Sequence, residues 1–150
     1  MKILVLNCGS SSIKYALYNM DDQSVITSGG IEKIGLPDSC IIVKLNGEKY
    51  KMERPIEEHT AGVQWIFEVL TTGDYAVLNS LEELDAVGHR MVHGGEKFNK
   101  SVILTPEVME AFTACNDLAP LHNPANIKGV NAVSALLPNI TQVGVFDTAF

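Results

Sequence analysis

The order of β-rich and helix-periodic segments along the chain predicts an α/β fold: a mixed sheet, antiparallel over its first three strands, with later strands parallel and helices on its faces. Three observations predict it. The first three apolar runs are joined by turns too short for a crossover, so they must pair antiparallel. The later segments alternate between helical and strand periodicity, which brings parallel strands and covering helices. The 150 residues are 46% hydrophobic and 19% charged, a balance that supports one domain with a full core.

Lys2 to Cys8 is an apolar, β-branched run and reads as a buried strand. Gly9-Ser10-Ser11-Ser12 is a turn, and Ile13 to Met20 is the second strand. Asp21-Asp22-Gln23 is a polar turn into a third strand, Ser24 to Ile34, where Gly29-Gly30 predicts a bulge. Cys40 to Leu45 and Glu48 to Met52 flank Asn46-Gly47, a pair that tolerates the positive φ angles of a two-residue hairpin. The short, lysine-rich strands of that hairpin suggest a peripheral position. Thr60 to Thr72 carries Val63, Ile66, Phe67 and Leu70 at helical spacing, one apolar stripe. Leu84 to Val92 returns to strand. Thr105-Pro106-Glu107 opens a helix, with Thr105 as N-cap and Pro106 at the first helical position. Asn123-Pro124 does the same for a helix running to about Leu137, where Pro138 stops it, and Ile140 to Asp147 is the last strand. No repeat or linker interrupts this order. An ending directly after a strand, where α/β sheets bind ligands, predicts a piece cut at a domain boundary.

A formal net charge of −7 argues against nucleic acid as a partner, because phosphate backbones require a basic surface. Any anionic substrate would need a few local cations. Three cysteines, Cys8, Cys40 and Cys115, form no C-x-x-C pair, which predicts a reduced, cytoplasmic protein without a metal–thiolate centre. The apolar start is too short for a signal peptide or membrane span.

Four segments carry candidate chemistry. In Asn7-Cys8-Gly9-Ser10-Ser11-Ser12-Ile13-Lys14, a strand delivers Asn7 to its carboxyl end, a turn of small residues offers N–H and O–H donors for a phosphate, and Lys14 adds a cation. Taken alone, the turn is equally a hydrophilic hairpin loop. In Gly88-His89-Arg90-Met91-Val92-His93-Gly94-Gly95, alternation puts Gly88, Arg90 and Val92 on one face and His89, Met91 and His93 on the other. Arg90 beside Val92 suits a small carboxylate, a guanidinium fork with an apolar wall; the bland reading is a surface ion pair. In Leu118-Ala119-Pro120-Leu121-His122-Asn123-Pro124, Asn123 is an N-cap, His122 precedes the positive end of a helix, and Leu121 is a pocket wall or a staple residue. In Val143-Gly144-Val145-Phe146-Asp147-Thr148, an acid ends an apolar strand, where it meets a cation or metal, or caps a turn.

Together these blocks resemble the acetate kinase family: Asn-x-Gly-Ser-Ser-Ser-x-Lys, Gly-His-Arg-x-Val-His-Gly-Gly, Leu-Ala-Pro-Leu-His-Asn-Pro and Phe-Asp-Thr-Ala-Phe stand in the family's order across nearly the whole chain. The resemblance implies a ribonuclease H-like core of the acetate and sugar kinase, heat-shock chaperone and actin superfamily. It implies that residues 1–150 are the N-terminal domain of a two-domain enzyme whose C-terminal nucleotide-binding domain is not in this chain. It further implies ATP as co-substrate, acetate as acceptor and magnesium (or manganese) as metal. Ser10, Ser11, Ser12 and Lys14 match the first phosphate loop, and Asn7 matches a residue implicated in magnesium binding. Arg90 matches the carboxylate-holding arginine, Val92 and Leu121 the wall around the acetate methyl. Asp147 matches the active-site aspartate and His122 a supporting histidine. Cys8 stands where alanine is common.

A carboxylic acid of pKa roughly 4 is already ionised at neutral pH, so Asp147 is expected to hold metal or align the nucleophile rather than act as a base. The resemblance also implies a homodimer built through the second domain, with this chain expected to be monomeric on its own and inactive. The alternatives are a propionate or butyrate kinase and, from another class, a non-catalytic actin-like or chaperone-like ATPase module. No membrane partner is expected.

Overall fold

A computed structural model describes residues 1–9, 11–91, 102–103 and 123–146. Its described strands are β1 (Lys2–Cys8), β2 (Ile13–Asn19), β3 (Ser24–Glu32), β4 (Cys40–Leu45), β5 (Glu48–Glu53), β6 (Ala86–Met91), β7 (Val102–Ile103) and β8 (Thr141–Phe146). Its described helices are α1 (His59–Thr71) and α2 (Asn123–Leu136). All the strands form one sheet, in the order β5-β4-β3-β2-β1-β6-β8-β7. β1 to β5 pair antiparallel in succession, whereas β6 lies parallel to both β1 and β8. The expected mixed sheet, antiparallel first and parallel later, is therefore present.

Alternation sorts the strands into two faces. Leu4, Leu6 and Cys8 of β1, Ile13, Tyr15 and Leu17 of β2, Ile31 of β3 and Ile41 and Val43 of β4 are buried on one of them. Val63, Ile66 and Leu70 of α1 and Ala132 and Val133 of α2 complete that core. Burying each large aliphatic side chain contributes on the order of 1.5–3 kcal/mol. Two glycines set how close the helices come. A Cβ at Gly62 would lie 2.9 Å from Ile13 Cδ1, and one at Gly129 would lie 2.5 Å from Cys8 Sγ. Both described helices thus pack on the same face. Val5, Asn7, Lys14, Ala16, Gly88 and Arg90 fall on the other face, which no described helix covers.

Several further expectations are corrected. The bulge lies at Ile26, where Leu17 pairs with Thr27 but Tyr18 pairs with Val25, and not at Gly29-Gly30. Those glycines serve close approach instead: a Cβ at Gly29 would fall on the Ile42 carbonyl, and one at Gly30 would be 3.0 Å from that of Ile13. The Asn46-Gly47 hairpin forms, with φ of 54° and 81°. It forms the edge of the sheet, as its lysines suggest, while β4 is bonded to β3 and buries Ile41 and Val43 completely. β3 ends at Glu32, short of Ile34. β6 begins at Ala86, after a 3-10 turn at Leu81–Glu83 closed by a capping box between Ser80 and Glu83. The Ser-x-x-Glu signature for that turn stands in the sequence. The two-residue β7 was not foreseen. The helix expected from Thr105 lies outside the described residues.

The Gly129 contact yields a paired prediction. Gly129→Ala should destabilise the fold by about 1–3 kcal/mol through overpacking against Cys8 Sγ. In a Cys8→Ala background the clash is gone, and the higher helix propensity of alanine should make the same change neutral or stabilising. Denaturant unfolding of the four proteins of this double-mutant cycle measures it; additive effects would contradict the contact.

Candidate active site

The turn after β1 is built from its carbonyls inward. The Gly9 amide donates to the Ser12 carbonyl at 2.8 Å, and the Ser11 carbonyl accepts from the Ile34 amide at 2.9 Å. The Gly9 carbonyl accepts from His59 Nε2 at 2.6 Å. These bonds fix the turn from the side of its carbonyls. A Cβ at Gly9 would lie 2.9 Å from Ser12 Oγ, so this corner is fitted to glycine. Ser11 is exposed and Ser12 half-buried.

Antiparallel register puts Asn7 directly opposite Lys14. Parallel register pairs Leu6 with His89, so Arg90 follows one residue beyond the last β1–β6 pair. Alternation puts Arg90 on the face of Asn7 and Lys14, consistent with Gly88, whose Cβ would lie 3.7 Å from Val5 Cγ2. Asn7, Lys14 and Arg90 therefore meet on the uncovered face at the carboxyl ends of β1 and β6, the place where α/β sheets bind ligands. Arg90 and Lys14 are exposed and Asn7 is half-buried. A hollow of about 470 Å³ opens on the β3 side of Lys14, lined among others by Ser12, Lys14, Gly30, Glu32, Lys44 and Lys49; neither Asn7 nor Arg90 lines it. Val145 of β8 stands opposite Arg90. Ser10, Val92, Leu121, His122 and Asp147 lie outside the described residues. The faces expected for Gly88, His89 and Arg90 are those observed.

Behind Arg90 the strand is anchored by buried polar groups. His89 is 2% exposed. Its Nε2 lies 2.6 Å from Gln142 Oε1, and Gln142 Nε2 donates to Ser134 Oγ of α2 at 2.7 Å. With the carboxamide in that orientation, His89 Nε2–H is the donor. Burial pushes the His89 pKa down from 6.5 to about 4, against the smaller opposing effect of the Gln142 bond. Sequence reading did not single out His59, Gln142 or Ser134. A signal for His59 existed: it stands four residues before Val63 and seven before Ile66, in line with the apolar stripe of α1. A Gln inside an apolar strand gives a weaker signal for Gln142.

The Acetokinase family matches residues 2–150. This chain belongs to the acetokinase family. It is 66% identical over 151 residues to the acetate kinase of Bacteroides fragilis, covering 100% of the chain and 38% of that relative. Among solved structures, that of Porphyromonas gingivalis acetate kinase matches with a TM-score of 0.96 at 57% identity, over 99% of this chain and 38% of that one. A propionate kinase from Francisella tularensis matches with a TM-score of 0.88 at 37% identity, over 99% of this chain and 37% of that one. The chain thus spans 38% of the length of the curated acetokinase it matches. Among the described residues, no group of three His, Cys, Asp or Glu could hold a metal, and no helix is long and apolar enough to cross a membrane.

The buried imidazole has a pH consequence. His89 titrates near 6.5 when unfolded and near 4 when folded, so the native state favours its neutral form. Its contribution to stability is full above pH 6.5 and is lost as pH falls towards 4, by up to about 3 kcal/mol. Unfolding free energies between pH 7 and 5 should fall in the parent and fall less steeply in His89→Gln; identical slopes would contradict this.

Proposed function

We propose that this chain is the N-terminal domain of a two-domain acetate kinase and supplies its carboxylate-binding half and first phosphate loop. The reaction is the reversible transfer of the γ-phosphoryl of ATP to acetate, giving acetyl phosphate and ADP. The observation that carries the reading is the meeting of Asn7, Lys14 and Arg90 on one uncovered face at the ends of β1 and β6, in a chain of this family.

The acetate oxygen forms a bond to the γ-phosphorus while the bond to the bridging oxygen of ADP breaks, roughly in line. The two reactants are anions, so positioning and charge neutralisation supply most of the rate. Arg90 holds the carboxylate with its guanidinium fork. Val92 and Leu121 wall the methyl group. Ser10, Ser11, Ser12 and Lys14 hold phosphate oxygens. His122 supports the phosphoryl group from beside the start of α2. Asp147 orients the nucleophile or holds metal; no base is required, because acetate is already ionised.

The donors available at Asn7 and the serines are neutral oxygens, a set that suits a hard cation keeping most of its waters and sharing phosphate oxygens. Asn7 and Asp147 would hold magnesium there, and its chemistry would be neutralisation of phosphate charge. The second domain, homodimerisation through it and a cytoplasmic location belong to the same proposal. The 38% share of the curated relative supports the division into domains.

In the full-length protein, Arg90→Ala should lower kcat/KM for acetate by about 10²-fold or more while leaving the KM for ATP nearly unchanged. An unchanged acetate dependence would instead favour an actin-like or chaperone-like ATPase. Rates with acetate, propionate and butyrate should fall in that order. A preference for propionate would favour the second reading, which the match to a propionate kinase keeps in view; a wall residue discriminates by only about 1–3 kcal/mol per methylene.

The purified 150-residue chain, mixed with ATP, magnesium and acetate, should make no measurable acetyl phosphate. Trapping the product with hydroxylamine checks this, and turnover near that of the full-length protein would contradict the division of the site.

A further inference from the structure

We propose that His59 and His89 are positioning residues, each fixing one half of the site from the helix-covered side of the sheet. His59 holds the phosphate turn and His89 holds the strand of the carboxylate arginine. The inference rests on the functional reading above and goes beyond it, because neither histidine faces the uncovered side on which substrates would bind.

The geometry at His59 is specific. Its ring is 4% exposed and extends from the first residue of α1. Its Nε2 lies 2.6 Å from the Gly9 carbonyl. A carbonyl only accepts, so Nε2 carries the proton. The bond joins residues 50 apart in sequence and ties the turn directly to the helix. The Gly9 carbonyl points towards α1, and a carbonyl directed inward needs a donor there. The main-chain bonds Gly9 to Ser12 and Ile34 to Ser11 close the turn on itself and onto the end of β3. Among the described residues, His59 connects the Gly9 carbonyl to α1.

His89 does the corresponding work for Arg90. The residue opposite it on β8 is Gly144, which has no side chain, so the ring can lean across to Gln142. Gln142 passes the connection to Ser134, which joins β6, β8 and α2 through side chains alone. Arg90 is the next residue along β6, pointing to the opposite face. A rotation of the strand that released His89 would swing the guanidinium by the same angle. Misplacement of a substrate-holding group by about 1 Å can cost about 10²-fold in rate.

The two histidines lie behind different halves of the site, so their removal should separate kinetically. In the full-length protein, His89→Leu should raise the KM for acetate about tenfold and leave the KM for ATP within about twofold. His59→Leu should do the reverse. Glutamine puts an amide nitrogen close to the position of Nε2, so His59→Gln and His89→Gln should each return the affected constant to within about threefold of the parent. Gln142→Leu removes the acceptor from the other side and should reproduce the acetate-specific effect of His89→Leu. Should a leucine variant fail to fold, the glutamine variants and Gln142→Leu still carry the test.

Equal shifts in both constants, a loss of kcat alone, or glutamine variants no better than leucine would overturn the inference, since a purely structural role reduces the active fraction without selecting a substrate. Arg90→Ala and Lys14→Ala serve as references. If Arg90→Ala leaves the acetate constant and Lys14→Ala leaves the ATP constant unmoved, the functional reading itself fails. If they move those constants and the histidine variants do not, only the positioning roles fail.

Discussion

The close approach of two helices to a single face of the sheet is the constraint from which the rest of this structure follows. Gly62 and Gly129 offer no Cβ where Ile13 and Cys8 press against them, so α1 and α2 sit low on the strands. That face becomes a dense aliphatic core, and any polar group caught in it must find a partner. His59, His89 and Gln142 do find partners: the bond from His59 holds the turn after β1, and the bonds of His89 and Gln142 tie β6 to β8 and β8 to α2. Packing on one side thus determines placement on the other. The arrangement concentrates packing behind the site, and among the described residues no helix covers its front.

Charge follows the same division. The chain as a whole carries −7, yet Lys14, Lys44, Lys49, Lys51 and Arg90 all fall on the uncovered face by strand alternation. Lys44 and Lys49 stand directly opposite each other in the β4–β5 ladder, a like-charge pair that disfavours the sheet locally unless water or anions screen it. Glu32 and Glu53 stand on the same face, the latter 3.9 Å from Lys51 Nζ, so the cations there are partly balanced. The burial of His89 keeps its imidazole uncharged at neutral pH, so its hydrogen bond does not depend on gaining a proton.

The antiparallel half was readable because short turns leave the chain almost no alternative, and Asn46-Gly47 announced its own hairpin. Alternation within residues 88–90 was equally readable, since one strand period decides the face. Other features depend on partners far away in sequence. Gly29 and Gly30 resemble a bulge signal locally, but they answer to the carbonyls of Ile42 and Ile13 on the neighbouring strands. The side of the sheet that each helix covers depends on where another element's glycine or sulfur lies, which no window of the sequence contains. The His59 to Gly9 bond spans 50 residues and left only the trace of an imidazole standing in an apolar stripe. Asn7, Lys14 and Arg90 were identified from their motifs, whereas their meeting on one face came from register.

β1 is the seam of the molecule, bonded antiparallel to β2 on one side and parallel to β6 on the other. Lys14 belongs to the first of those neighbours and Arg90 to the second. Their backbones are therefore held two strand widths apart, roughly 10 Å, by ladders that cannot stretch without breaking hydrogen bonds in a row. The sheet acts as a ruler beneath Lys14 and Arg90. It sets the two cationic side chains on fixed posts, and the gap between them is a matter of side-chain reach alone.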